Sequence, residues 1–163
     1  MKTLGVILVL PFLIWGGIRV EKYINFGIEC SGRMKRAADA NSIELAKTEM
    51  QQVVKYLEDN KMTSGYTTAL LWKPPSEDVG FFFRNMKESL DELEKMSPDA
   101  TPLERSNMLM KLRETLLDSG QSTSVTYPNG LEIFPNNTGY AIFGCLSSVL
   151  AVVGVVIFVK SFD

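Results

Sequence analysis

Uncharged, apolar positions are concentrated near the two ends of the chain, and a mixed apolar and polar pattern lies between them. Residues 3–18 and 139–159 contain no charged side chain, whereas nearly all Asp, Glu, Lys and Arg residues lie in the middle. The 21 residues of 139–159 make a helix of about 31 Å, which matches the hydrocarbon thickness of a bilayer. The pattern predicts transmembrane helices at 3–20 and 138–159, a soluble domain at 21–137 and a short tail at 160–163.

The first apolar segment follows Lys2 and has the outline of a secretory signal peptide. No small-x-small cleavage site follows it, and Trp15 lies where an interfacial aromatic residue is typical. Arg19 comes shortly after. These features predict an uncleaved signal anchor, which Pro11 bends locally.

Small residues recur at three- and four-residue steps along the second span. Small side chains allow the backbone of another helix to approach closely. We therefore predict a helix-packing interface on this face, formed by Gly144, Ser147, Ser148, Ala151 and Gly154.

Beyond Arg19, apolar positions continue at alternating three- and four-residue steps, which is one stripe of a helix in a coiled-coil-like bundle. The stripe is Val20, Tyr23, Gly27, Cys30, Met34 and Ala37. It predicts that the first transmembrane helix continues directly into the soluble domain. A hinge at Gly27 or Gly32 is the alternative, because glycine weakens a helix.

Three further helices are predicted in the soluble domain. One covers residues 42–60, and the next begins after a Pro-Pro pair with Ser76 as its N-cap. The last begins at Thr101, which forms a capping box with Glu104, and stops at Gly120. Their apolar stripes are Ile43, Ala46, Met50, Val53 and Leu57; Val79, Phe83, Met86, Leu90 and Leu93; and Leu109, Leu112 and Leu116.

Two segments have β-prone patterns. Residues 124–133 alternate around an Asn129-Gly130 turn, which favours a hairpin. We expect residues 66–72 to add a third strand, because an isolated hairpin is marginally stable. The predicted fold is a mainly α membrane protein, in which two transmembrane helices flank a four-helix bundle-like region with a small β-hairpin or three-stranded sheet.

Three consecutive phenylalanines, at 81–83, cannot all face one core, because successive helical residues are about 100° apart. At least one should therefore face the strand segment, lipid or a partner. Core packing under the connection at 61–75 is the default interpretation. The alternative is a partner or ligand surface formed by Tyr66, Leu71, Trp72, Phe81 and Phe82.

Composition narrows the chemistry. With 17 Lys and Arg against 19 Asp and Glu, there is no electrostatic case for nucleic acid. The absence of histidine removes the commonest general base and zinc ligand. In the helix predicted after the Pro-Pro pair, the acidic residues alternate with the apolar stripe, as on a solvated face. Cys30 and Cys145 are interpreted as unpaired. We predict no catalytic residue, no metal site and no cofactor, so the protein is not expected to be an enzyme.

The charges give conflicting indications of orientation. Basic residues after the first span favour a cytoplasmic domain, whereas Lys160 and the export-like amino-terminal segment favour an extracytoplasmic one. We favour the second, in a bacterial inner membrane. The predicted function is that of a membrane-anchored interaction protein: an accessory, assembly or scaffold subunit whose partners are the bilayer and other membrane subunits or copies of itself.

The order of span, helical region and span resembles in outline the sensory four-helix modules of bacterial chemoreceptors and sensor kinases, in topology only. The resemblance implies an alternative function as a ligand-binding sensory module. Because only residues 160–163 follow the second span, such a module would act through a partner protein.

Overall fold

The computed structural model describes residues 1–69, 73–118 and 124–162, and the chain is mostly helical within them. This part contains five α-helices: α1 (Lys2–Ala38), α2 (Ile43–Asp59), α3 (Val79–Lys95), α4 (Pro102–Leu116) and α5 (Asn137–Lys160). Short 3₁₀ helices at Pro75–Glu77 and Leu131–Ile133 precede α3 and α5.

The helices α1 and α5 are both long and apolar enough to cross a membrane. In the most apolar 18 residues of each helix, only 6% of α1 and 17% of α5 is buried inside the protein. This low burial distinguishes the two helices from the core helices of a soluble domain. The two helices pack antiparallel, since Gly5 lies against Gly154 and the Trp15 ring lies against Gly144. They form a helical hairpin. Beyond this hairpin, α1 continues into the rest of the molecule.

The first helix runs without a break from Lys2 to Ala38, about 55 Å, as the continuous interpretation predicted. In place of a hinge, the helix contains one π-helical turn at Gly27–Ser31. The Gly32 N–H donates to the Gly27 carbonyl, and a Cβ at position 32 would lie 2.6 Å from that oxygen. Glycine at position 32 therefore leaves room for the π-turn.

The predicted stripe of α1 is only partly correct. Its later members, Cys30, Met34 and Ala37, are buried in the core, but Val20 and Tyr23 are 58% and 64% exposed. Phe26 is buried instead, at 1% exposure. A π-turn accommodates one extra residue, so the apolar spacing before it no longer leads to the same face.

The hydrophobic core lies between the second half of α1 and helices α2, α3 and α4. Each helix contributes one apolar face, as helical periodicity predicts. The largest side chains within it include Phe26, Met34, Met50, Leu57, Met86, Leu93, Leu116 and Leu131. In α3, Phe82 is buried and Phe83 half-buried, which reverses their predicted order.

Local capping fixes the helix starts. The predicted capping box is present, with Thr101 and Glu104 each bonding the other's backbone at the start of α4. The prediction that Ser76 caps α3 is wrong, because Ser76 lies in the 3₁₀ turn. The Asp78 carboxylate caps the helix instead, accepting a hydrogen bond from the Phe81 N–H at 2.9 Å.

The predicted β-hairpin and three-stranded sheet are not found, since the described residues contain two isolated bridges and no strand. A type I′ hairpin turn needs positive φ at both Asn129 and Gly130, but only Gly130 has it, at 76°. The chain then enters a 3₁₀ helix that buries Leu131 in the core. Val125 bridges Leu117 rather than a strand partner across the turn.

The proposed third strand is also absent from the described part of residues 66–72. Tyr66 makes a single bridge to Asp78, next to the start of α3. The remainder of that prediction, at Leu70, Leu71 and Trp72, lies outside the described residues.

Candidate functional site

A groove of about 310 Å³ lies between the first half of α3, the end of α4 and residues 126–129. We call it the aromatic groove. Phe82 and Met86 of α3 are buried and form its apolar lining, and Tyr127 lines it from the loop. Phe81 is 55% exposed at its edge. The groove therefore combines an apolar interior with an exposed aromatic side chain.

The start of α3 holds Phe81 in place. Besides the Asp78 cap on the Phe81 N–H, the Val79 N–H donates to the Gly65 carbonyl at 3.0 Å. The Thr67 N–H donates to the Glu77 carbonyl at 3.1 Å, and the Thr67 hydroxyl also donates to the Glu77 carboxylate. These bonds fix the helix start, so the exposed position of Phe81 follows from a braced backbone rather than from a loose end.

Tyr127 connects the groove to the first helix. Its ring centroid lies 4.9 Å from that of Phe26, which lies 6.1 Å from that of Tyr56. Burial raises the pKa of the Tyr127 phenol, with nearby Tyr23, Glu132 and Cys30 adding to the effect. The phenol is therefore neutral at physiological pH and can donate a hydrogen bond.

The structure places the predicted surface residues unequally. Phe81 and Phe82 line the groove, whereas Tyr66 is half-buried in the segment that braces α3. Leu71 and Trp72 lie outside the described residues. Sequence reasoning missed Tyr127 as a groove residue because it placed this residue in a strand.

The predicted helix-packing residues lie along the side of α5 that meets α1. Gly144, Ser147 and Gly154 are buried, and Ser148 and Ala151 are half-buried. A Cβ at Gly154 would lie 2.6 Å from the Gly5 carbonyl oxygen. The close approach of this face is thus to α1 of the same chain.

Polar contacts hold the domain end of the hairpin together. The Trp15 indole N–H donates to the Tyr140 carbonyl at 3.0 Å, and a Cβ at Gly144 would lie 2.8 Å from the same ring. One turn further along α1, Arg19 pairs with Glu132 at 3.4 Å. These contacts set Trp15 level with the start of the apolar run of α5.

Three basic residues beyond the apolar part of α1, Arg33, Lys35 and Arg36, are paired within the chain. Glu49, 8% exposed, accepts from Arg36 at 2.6 Å and from Arg33 at 3.4 Å. Lys35 donates to Asp39 at 2.6 Å, and this hydrogen bond lowers the pKa of the Asp39 carboxyl. Arg33 and Arg36 therefore connect α1 to α2, whereas the Lys35–Asp39 pair is local to the end of α1.

Other chemistry-bearing groups are similarly placed. Burial raises the pKa of the Cys30 thiol to about 12, and both Cys30 and Cys145 are free. On the acidic side of α3, Glu92 pairs with Lys111 at 2.6 Å. Within the described residues, no group of three or more His, Cys, Asp or Glu side chains is arranged to hold a metal ion.

Comparisons with known proteins give no family for the chain. No protein-family model matches it, and neither a curated protein nor a solved structure matches it. The functional argument therefore depends on the geometry of the residues.

Proposed function

We propose that the protein is a non-enzymatic, membrane-anchored interaction protein: an accessory, assembly or scaffold subunit of a larger membrane complex or of a self-oligomer. The observation that carries this proposal is Phe81, held 55% exposed beside the aromatic groove. Exposed aromatic side chains beside apolar pockets are typical anchors of protein interfaces.

Membrane anchoring is supported by the two apolar helices. In the most apolar 18 residues of each helix, 94% of α1 and 83% of α5 is not buried within the protein. In water the hairpin would therefore expose a continuous apolar surface much larger than soluble monomers tolerate. A bilayer covers that surface. The bilayer is therefore the first proposed partner.

The aromatic groove suits an apolar side chain of a partner protein. Such a side chain would lie between Phe81 and Tyr127, above Met86. Asn85 and Thr126 also line the groove and offer hydrogen-bonding groups to a partner backbone. The combination gives both apolar burial and a means of fixing orientation.

We also propose a bacterial inner-membrane location with the soluble domain outside the cytoplasm. The antiparallel hairpin brings Lys2 and Lys160 to one end, where Lys2 Nζ lies 3.8 Å from the Phe162 ring. At the other end, Arg19 is paired with Glu132. The count of basic residues beside the apolar segments favours the opposite orientation, so this proposal depends on the export-like amino-terminal segment.

Photo-crosslinking in the native cells tests the docking function. A benzophenone amino acid replaces Phe81 in one variant and Leu45 of α2 in a control, since both side chains are 55% exposed. We expect an adduct of defined mass at position 81 and none at 45. Equal labelling at both positions, or none at either, would contradict the proposal.

A ligand-binding sensory module is the second candidate function. The contact between Tyr127 and Phe26 favours it, because it links the groove to the helix that continues into the first span. A small apolar molecule that raises the melting temperature of the purified chain, but not of Phe81→Ser, would support this candidate over docking of a protein.

A further inference from the structure

One face of α1 is exposed along both its apolar segment and the part that lies beyond it. Its positions follow alternating steps of three and four residues, the spacing of a helix-pairing seam. We call it the outer face: Leu10, Leu13, Gly17, Val20, Ile24 and Gly27. Its four large side chains are between 46% and 60% exposed, and Tyr23 and Ile28 beside it are 64% and 61% exposed.

No packing contact within the described chain explains why the outer face has glycines. A Cβ at Gly17 or Gly27 would meet nothing within 4 Å, as at the adjacent Gly16, in contrast to Gly5 and Gly32, where it would clash. Glycine inside a helix costs about 1 kcal/mol relative to alanine. Two uncontacted glycines on one exposed apolar face fit a surface that another backbone approaches closely.

Lipid alone does not cover the whole outer face. Trp15 is level with Tyr140, near the start of the apolar run of α5. Ile28 lies 13 residues further, about 20 Å along the axis, whereas one headgroup layer is only ~5–8 Å thick. Tyr23, Ile24 and Ile28 therefore lie beyond the reach of lipid, and a protein surface rather than the bilayer would cover them.

An occupant that follows this face must itself cross the bilayer and continue beyond it on the same side. The α1 helix of a second copy has this form, and a parallel pair places each outer-face residue beside its counterpart. The face carries no charge, so pairing identical residues brings no like charges together. Its four large side chains, with Tyr23 and Ile28 beside it, are each about half exposed and offer on the order of 600 Å² per copy, somewhat below the roughly 800 Å² per partner of a standard interface.

We propose that two copies of the chain pair through the outer faces of their α1 helices, in parallel, with the closest approach at Gly17. This inference rests on the proposed function and names a second copy as one partner. The apolar notch of about 190 Å³ between α1 and α5, which Leu10 and Leu13 also line, receives side chains of the second copy.

Disulfide cross-linking of the full chain in membranes tests the pairing. In a Cys145→Ser background, Val20→Cys and Ile24→Cys report on the outer face, and Lys22→Cys is a control at the same height on the opposite side of α1. Cys30 is fully buried and stays silent. A disulfide needs Cα atoms about 4.4–6.8 Å apart, so we expect at least fivefold more covalent dimer at 20 and 24 than at 22.

A second pair of variants tests the close approach. Gly17→Leu should reduce the Ile24→Cys cross-link at least fivefold, whereas Gly139→Leu, on α5 and equally open at Cβ, should leave it unchanged. Equal dimer at 20, 22 and 24, no dimer at any, or an unaffected cross-link in Gly17→Leu would overturn the inference. If cross-linking fails while the Phe81 adduct with another protein persists, the inference fails and the proposed function stands.

Discussion

The two faces of α1 use glycine in opposite ways. On the inner face, Gly5 meets the backbone of Gly154 so closely that a Cβ would lie 2.7 Å from its carbonyl oxygen. On the outer face, Gly17 and Gly27 have open space where a Cβ would be. The comparison teaches that a small residue indicates close approach only together with its neighbour, and for the outer face we propose that this neighbour is a second copy of the chain.

Disrupting the packing of the inner face should lower the free energy of unfolding more than any other change considered. Gly154→Leu places a side chain against the Gly5 carbonyl and Leu8. The two helices would have to move apart to make room for it, and the hairpin would lose its packing. We expect a loss of about 3 kcal/mol in the free energy of unfolding, at the upper end of overpacking costs. Denaturant titration of the detergent-solubilised chain measures it, with Gly139→Leu of the same helix as the matched control, which meets open space and should cause no loss of stability.

The π-turn offers the same contrast within five residues. Gly32→Ala directs a methyl group at the Gly27 carbonyl 2.6 Å away, so we expect about 2 kcal/mol of destabilisation and a change of helix register. Gly27→Ala meets open space and should stabilise the monomer by about 0.5–1 kcal/mol. Thermal unfolding of both variants in detergent checks the difference, and equal effects would contradict the packing described for Gly32.

The indole hydrogen bond separates packing from polar contact on the inner face. Trp15→Phe keeps an aromatic ring near Gly144 but removes the donor to the Tyr140 carbonyl. We expect a loss of about 1 kcal/mol, the typical contribution of one hydrogen bond. A loss as large as that of Gly154→Leu would show that the indole rather than the glycine contact holds the hairpin.

The smallest expected effect concerns the exposed end of α1. The hydrogen bond from Lys35 lowers the pKa of Asp39 below its ordinary value of 3.8. A lowered folded-state pKa stabilises the fold above about pH 4 and loses that contribution as the pH falls through it. The pair is exposed, so the contribution is at most a few tenths of a kcal/mol, and Asp39→Asn should flatten the acid limb of a stability–pH curve by that amount.

Local signals allowed much of the helical fold to be predicted. The capping box of Thr101 and Glu104 and the apolar stripe of α2 depend on neighbours a few residues away, so the sequence contains them. The N-cap of α3 was misplaced because Ser76 and Asp78 are both good caps, and the 3₁₀ turn decides between them. The hairpin was wrong because burial of Leu131 determines the path after Gly130.

The candidate site was harder to predict. The exposure of one phenylalanine followed from helix geometry, and Phe81 is that residue. Tyr127 lines the same groove as Phe81 because residues 126–129 return beside α3, a long-range arrangement with no local signal. The small-residue face of α5 likewise indicated close approach without naming α1 as the helix that makes it.

Native mass spectrometry of the tagged full chain, extracted gently from its own membranes, tests the central claim most directly. The account predicts an assembly of fixed composition that contains at least two copies, and a Gly17→Leu variant that loses the second copy. A chain recovered alone at 18.2 kDa, without a second copy or another subunit, would contradict it.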